Sequence, residues 1–194
     1  MAVAVYALIL IRQNLSAKAI LSKSIAAYKQ VTSYGDSVIG FDPWSDPPGT
    51  VFAKVAIRFT RSDGVRMSFR DLQDGYTVRI TESRSHKQVI RISSSRKTNV
   101  SKSEQKGRVT ASWPFEIVNL LQGSQPFFLN YKEWTESKKE VVGKRECYRF
   151  DLNQITWSAK VWIDTKTYLI LRAQYIVPRR AAANEVYYFH PEAG

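Results

Sequence analysis

The stretch from Val51 to Ile92 constrains the fold most strongly, because its residue types alternate with a period of two over three successive runs. In the first run the odd positions are apolar, whereas the even positions include Lys54 and Arg58. The runs Val65–Phe69 and Tyr76–Ile80 repeat the alternation. Alternation of this length is typical of half-buried antiparallel strands. The stretch is therefore predicted to form a β-meander with one apolar face and one basic face.

Two Asp-Gly pairs separate these runs, Asp63-Gly64 and Asp74-Gly75. Such pairs favour tight hairpins, since glycine adopts a positive φ without steric cost. A fourth run, Lys87–Ile92, is predicted to extend the sheet. One side of the sheet then carries only apolar groups, and either the protein's own elements cover that side or a ligand binds there.

Two helices are predicted to flank the meander. Residues Ser16–Val31 have an apolar stripe at helical spacing and a capping serine, Ser16. The second helix, Phe115–Gln122, opens with Trp113 and Pro114 and stops at Gly123, so it is a candidate lid. We expect the first helix to cover the apolar face of the sheet rather than to lie on a membrane. The polar, basic segment Ser93–Arg108 between the meander and the second helix is predicted to be a flexible crossover.

The remaining runs predict further antiparallel strands and a mainly β, α+β fold: a curved antiparallel sheet with an N-terminal helix and a short second helix. These strands are expected at Tyr34–Phe41, Lys138–Val142, Arg145–Asn153, Ser158–Asp164, Leu169–Val177 and Glu185–His190.

The domain organisation is predicted to be one domain over residues 16–194, preceded by an apolar segment over residues 1–15. Met1–Ile11 is too short to span a bilayer, which takes about 20 residues. It has the length of a signal-peptide core but lacks a cationic region before it. We interpret it as the remnant of an export signal or as an apolar element that packs on the body.

The formal net charge of +12 favours anionic partners, whether lipid headgroups, nucleic acid or an acidic protein. The outward side of the meander supplies a basic outer face. The segment Ser93–Arg108 contains no aromatic residue, which argues against a stacking platform for single-stranded nucleic acid. The predicted basic residues of this face are Lys54, Arg58, Arg66, Arg70 and Arg79.

No catalytic, cofactor or metal site is predicted. The single cysteine, Cys147, lies in a strand and is interpreted as a small buried hydrophobe. His86 and His190 are far apart in sequence, which argues against a zinc site or a Cys/His pair. The scattered carboxylates form no motif with a mechanism, so the protein is predicted not to be an enzyme.

The C-terminal strands resemble a known family. The ordered set is Gly143 followed by Cys147-Tyr148, then Trp162-Ile163-Asp164, then Tyr168-Leu169, then Arg172. Together with the helix and the meander, it resembles the bacterial LolA/LolB-like outer-membrane lipoprotein carriers and sorting proteins over about residues 16–190. The resemblance implies an incomplete β-barrel whose apolar concave cavity is covered by helices and holds acyl chains. It also implies a periplasmic or envelope-associated protein, which we expect to be a monomer.

The predicted function is therefore that of a non-enzymatic carrier or sensor of lipid or lipoprotein acyl chains, with an anionic membrane surface as a further partner. The alternative is a basic module that binds nucleic acid or another acidic polymer. The same apolar residues could instead form an ordinary hydrophobic core packed under the first helix, with no ligand cavity. The predicted cavity residues are Val55, Ile57, Phe59, Met67, Phe69, Val78, Ile80, Trp162 and Leu171.

Overall fold

The computed structural model describes residues 17–42, 49–83, 88–96, 99–176 and 185–194. The apolar segment predicted at the start of the chain and the capping residue Ser16 lie outside these residues.

The described residues form three helices and one antiparallel sheet of eleven strands. Helix α1 covers residues 17–30, α2 covers Lys102–Thr110 and α3 covers Trp113–Leu121. The strands are β1 (Ser33–Asp42), β2 (Thr50–Thr60), β3 (Gly64–Asp71), β4 (Tyr76–Glu82), β5 (Gln88–Ser94), β6 (Thr135–Val142), β7 (Arg145–Asn153), β8 (Ser158–Asp164), β9 (Ile170–Ile176), β10 (Glu185–Tyr188) and β11 (Glu192–Ala193).

The sheet is curved and does not close. Its strand order is β5-β4-β3-β2-β1-β10-β9-β8-β7-β6, and β11 pairs with β1 beside β10. Within the described residues, β5 pairs only with β4 and β6 pairs only with β7, so these two strands are the free edges. The predicted mainly β fold with an incomplete barrel is confirmed.

The meander has the predicted two-sided register. Val55 lies opposite Phe69, and Met67 lies opposite Ile80, with all four side chains buried. A bulge interrupts the alternation at one place, where Gly40 pairs with Ala53 and the next residue of β1 pairs with Val51. The residue left out of this pairing, Phe52, is buried.

The bulge requires glycine at position 40. A Cβ atom there would lie 2.9 Å from ring atoms of Phe52 and 3.0 Å from the ring of Tyr187. These two rings pack edge-on at a centroid distance of 5.7 Å. The close approach of β2 and β10 across β1 therefore depends on the absent side chain.

The helices cover the concave side of the sheet. Helix α1 buries the predicted stripe, and the Tyr28 hydroxyl accepts a hydrogen bond from the backbone N–H of Ile170 at 3.1 Å. Helix α3 lies against β2 and β3, and α2 lies against β4 and β5. The side chains that α1 and α3 bury are Ala17, Ile20, Leu21, Ser24, Tyr28, Trp113, Pro114, Glu116, Ile117, Val118, Leu120 and Leu121.

The segment Ser93–Arg108 differs from its prediction. It contains helix α2 rather than only a flexible crossover. Ser101 accepts a hydrogen bond from the N–H of Glu104, and the Glu104 carboxylate accepts one from the N–H of Ser101. This capping box satisfies backbone donors at the first turn, so a helix with few apolar residues still begins there.

The C-terminal run also ends earlier than predicted, at Tyr188. The carboxylate of buried Asp36 accepts hydrogen bonds from the N–H of His190 at 2.8 Å and from the Tyr34 hydroxyl at 2.7 Å. Beyond this point the chain forms β11, whose residue Glu192 pairs with Gly35. A polar side chain in β1 therefore redirects the chain at the end of β10.

We expect Gly64→Ala to destabilise the protein more than Gly143→Ala. Both glycines have a positive φ, 83° and 62°, which alone costs an alanine about 1 kcal/mol. A Cβ at Gly64 would also overlap the carbonyl oxygen of Glu82, whereas one at Gly143 would meet no atom within 4 Å. Urea unfolding should show a loss of about 3 kcal/mol for Gly64→Ala. Equal losses for the two variants would contradict this assignment of the turn.

Candidate functional site

The concave face of β2, β3 and β4 carries seven of the predicted cavity residues side by side. Each is at most 7% exposed, and Phe59 has that highest value. All belong to one core cluster with side chains of α1 and α3. The protein's own helices therefore fill the concave face in this state. The seven residues are Val55, Ile57, Phe59, Met67, Phe69, Val78 and Ile80.

Trp162 and Leu171 do not lie with these seven residues. They form a separate buried cluster with Cys147, and that cluster is on the convex side of β7–β9. Their neighbours Val161 and Ile170 belong to the concave core instead. The register shift between Trp162 and Ile163 leaves Leu171 outside the regular pairing, and it faces away from the core for that reason. Their prediction as concave cavity residues is therefore corrected.

A small pocket opens at the rim of the concave face, between the C-terminal end of α3 and the meander. Its volume is about 190 Å³. The apolar part of its lining consists of Phe59, Val65 and Leu121. The polar part includes Glu82 and Gln122. We define this opening as the rim pocket, since it reaches the filled concave face from solvent.

Two larger clefts differ from the rim pocket in position. One, of about 530 Å³, runs along β11, and its lining includes the charged residues Arg58, Arg66 and Glu192 and the apolar or aromatic residues Tyr34, Phe59 and Ala193. The other, of about 560 Å³, lies on the convex side beside β10. The first cleft has charged side chains in its lining, and the second lies on the side of the sheet opposite to the helices.

The two ends of α3 are held differently. At its N-terminal end, the Trp113 indole donates a hydrogen bond to the carbonyl of Gln174 at 3.3 Å and stacks on Phe128 at 4.5 Å between ring centroids. The Glu116 carboxylate accepts hydrogen bonds from the N–H groups of Phe127 and Leu129 at 2.7 and 3.0 Å. The N-terminal half of the helix is thus tied to the following loop and to β9.

Within the described part of the chain, the C-terminal end of α3 makes one side-chain hydrogen bond to the sheet besides its apolar contacts. The Gln122 amide donates to the Glu82 carboxylate at 2.7 Å. The exposed amide of Gln88 donates to the same oxygen at 3.3 Å. Beyond Gln122, Gly123 ends the helix with a φ of 72°. If the helix moves, this end is the one that separates from the sheet.

A group of polar side chains lies inside the concave side near α2. The Tyr187 hydroxyl donates to the Glu185 carboxylate at 2.8 Å, and Asp71 is buried nearby. Burial raises the pKa of Glu185 to about 7, opposed by the hydrogen bond from Tyr187 and the charge of Arg108. Burial also raises the pKa of Asp71. The apolar side therefore includes a carboxyl group that titrates near neutral pH.

The predicted basic residues all lie on the convex side of the meander. Lys54, Arg58, Arg66, Arg70 and Arg79 are exposed there. Arg91 of β5 extends the set, directly opposite Arg79. It was absent from the predicted set although it continues the same alternation.

Sequence reasoning also missed part of the rim pocket. Val65 continues the apolar alternation of β3, so the pattern could have identified it. Leu121 and Gln122 lie on the predicted second helix, but their position against Glu82 depends on how α3 packs on the sheet. Sequence periodicity does not provide that packing.

The described residues contain no group of three or more His, Cys, Asp or Glu side chains placed to hold a metal ion. None of their helices combines the length and the apolar character that a membrane crossing requires.

No protein-family model and no curated protein matches the sequence. Solved structures do match it. MucB has a TM-score of 0.54 at 14% identity, with 93% of this chain and 59% of the MucB chain covered. The MucA/MucB complex of Pseudomonas aeruginosa gives a TM-score of 0.50 at 14% identity over 92% of this chain and 57% of the other. LprF from Mycobacterium bovis gives 0.50 at 11% identity, with 92% and 93% covered.

The fold is LolA/LolB-like. The predicted resemblance is confirmed at the level of the fold, over more than nine tenths of the chain. The chain spans just over half the length of the MucB chains and nearly the full length of LprF. These identities are too low to transfer residue roles.

We expect Glu185→Gln to change how stability depends on pH. The pKa of Glu185 is raised from 4.5 to about 7, so between these values the native protein binds a proton that the unfolded chain has lost. The free energy of unfolding therefore falls as pH rises through this window. The free energy of unfolding of the variant should not fall in this window. From about pH 5 to about pH 8 it should therefore rise by about 2 kcal/mol relative to that of wild type.

Urea unfolding across this pH range measures the effect. The matched control is Glu133→Gln, which removes an exposed carboxylate and should leave the pH dependence unchanged. The same slope in wild type and Glu185→Gln would show that Glu185 does not titrate in this window.

Proposed function

We propose that this protein is a non-enzymatic carrier or sensor in the cell envelope that binds an acyl chain of a lipid or lipoprotein between its concave face and helix α3. The observation that carries this proposal is the continuous apolar concave face, which short helices cover. The rim pocket at the less strongly held end of α3 gives the acyl chain a point of entry. The LolA/LolB-like fold supports the same class of function.

Binding requires α3 to move, because its side chains occupy the concave face. Its inner residues include Ile117, Val118 and Leu121, which are hydrocarbon groups much like an acyl chain. Burial of a methylene contributes about 0.8 kcal/mol. An acyl chain that replaces these side chains would recover much of the burial that the helix loses. The exchange is then opposed mainly by the polar contacts that α3 breaks.

A protein partner is compatible with the proposed role of a sensor. MucB has been solved in complex with MucA, so a protein of similar fold assembles with another protein. The present chain matches just over half of that MucB chain. We therefore propose acyl-chain binding by this domain without a specific protein partner.

Native mass spectrometry and displacement of a fluorescent fatty acid test the proposal directly. We expect the purified protein to retain acyl-chain ligands or to bind the probe in competition with fatty acids, phospholipids and lipopeptides. No binding of any of these amphiphiles would overturn it.

We expect Gln122→Ala to accelerate uptake of the probe about fivefold. The variant loses the hydrogen bond from α3 to Glu82, and a hydrogen bond of this kind contributes about 1 kcal/mol. The control is Gln88→Ala, which removes the other donor to the same carboxylate but lies on β5. Stopped-flow fluorescence should give this control nearly the wild-type rate. Binding with identical rates in all three proteins would show that the Gln122 end of α3 is not the gate.

A further inference from the structure

The convex side of β2–β5 carries a set of exposed cations without internal partners, which we define as the basic face. Within the described residues, none of these side chains forms an ion pair. The positions between them hold small side chains such as Ala56, Ser68 and Thr77. The charged ends are therefore the most protruding groups. The basic face consists of Lys54, Arg58, Arg66, Arg70, Arg79 and Arg91.

The strand register places these cations directly opposite each other. Arg58 pairs with Arg66, and Arg79 pairs with Arg91. Lys54 pairs with Arg70 in the same way. Like charges at directly opposed positions of antiparallel strands are destabilising, since their Cβ atoms lie only about 5 Å apart. The basic face thus reduces stability in the free protein, and an external anion would relieve the repulsion.

On the other half of the convex side, two arginines are paired with carboxylates of the same half. Arg149 forms ion pairs with Glu140 at 2.7 Å and Asp151 at 3.1 Å. Arg145 pairs with Asp164 at 2.6 Å. By contrast, the six cations of β2–β5 have no carboxylate partner within the described residues, and they lie together on one surface.

We propose that the basic face docks the protein on a bilayer surface rich in anionic phospholipid. Each lysine or arginine near such a surface strengthens binding about fivefold, so six side chains provide substantial affinity together. Anionic headgroups diffuse laterally and can match any spacing of cations, so a bilayer needs no shaped pocket. At one end of the basic face, Arg58 and Arg66 also line the cleft along β11.

The shape and composition of the basic face disfavour nucleic acid as the partner. Its strands present no aromatic side chain on the convex side, so bases have no ring on which to stack. A broad convex sheet also does not enter a DNA groove as a helix or a two-stranded ribbon does. Duplex DNA serves as the alternative ligand in the experiment below.

Docking in this way brings the rim pocket to the bilayer. Arg66 of the basic face lies two residues from Gly64, which lines the rim pocket. The mouth of the pocket is therefore at the border of the docked surface, a consequence that rests on the proposed acyl-chain function. The docking itself depends only on the charges.

Cosedimentation of the full chain with vesicles tests the proposal. We expect binding to phosphatidylcholine vesicles that contain phosphatidylglycerol, weaker binding as salt rises, and no binding to pure phosphatidylcholine. The double variant Arg66→Glu and Arg79→Glu should bind the anionic vesicles at least about thirtyfold less tightly. Each substitution places a carboxylate opposite an arginine, Arg58 or Arg91. Thermal unfolding should therefore show no loss of stability.

The matched control is the double variant Lys132→Glu and Lys144→Glu, which changes the net charge equally at exposed positions outside the basic face. It should retain most of the vesicle binding. Equal losses in the two double variants would overturn the proposal, as would binding to duplex DNA without binding to anionic vesicles. Fatty-acid displacement without vesicles should be unchanged in Arg66→Glu and Arg79→Glu. A failure of docking is thus distinguishable from a failure of acyl-chain binding.

Discussion

The segregation of apolar and charged side chains on the two sides of one unclosed sheet is the constraint from which the rest of this structure follows. In an antiparallel strand each side chain points opposite to its neighbour, so β2–β5 present hydrocarbon to one side and cations to the other. A closed barrel could bury the hydrocarbon inside itself. Here β5 and β6 remain separate edges, and helices must cover the concave side instead.

Period-two alternation was sufficient to predict the meander, its hairpin glycines and most C-terminal strands, because these depend on local pattern. It could not locate the bulge in β9, and for that reason Leu171 was assigned to the wrong side. Trp162 lies between the concave residues Val161 and Ile163, so its assignment to the concave side went against the alternation itself. Helix α2 was missed because its polar composition hides a helical stripe, although the capping pair Ser101 and Glu104 was visible in the sequence. The position of α3 on the sheet depends on tertiary packing, and the sequence pattern contains no direct signal for it.

Several buried or half-buried carboxylates accept hydrogen bonds from backbone N–H groups and so fix the conformation of the chain. Asp36 holds the N–H of His190, Glu116 holds the loop after α3, and Asp164 accepts hydrogen bonds from the N–H groups of Lys166 and Thr167. Each supplies a hydrogen-bond acceptor to backbone N–H groups that lie outside helices and strands and would otherwise lack a partner inside the protein. This explains why polar groups recur in a domain whose core is largely aliphatic and aromatic. Glu185 differs, because its hydrogen bond within the described residues comes from the Tyr187 hydroxyl and not from a backbone N–H, and burial raises its pKa to about 7.

The unequal attachment of α3 determines how an amphiphile would fit the proposed site. Trp113 and Glu116 hold the first turn, so an opening movement separates the Gln122 end and exposes Phe59 and Val65 first. A hydrocarbon chain entering there would pass under the helix, while its polar head would remain at the rim, near the border of the basic face. An anionic head would then meet positive potential at the point where it stops. The same cations that bind the domain to an anionic bilayer would favour extraction of an anionic lipid with its head outward. This orientation of the lipid follows from the strand register, which places all the cations on one side, rather than from any single residue.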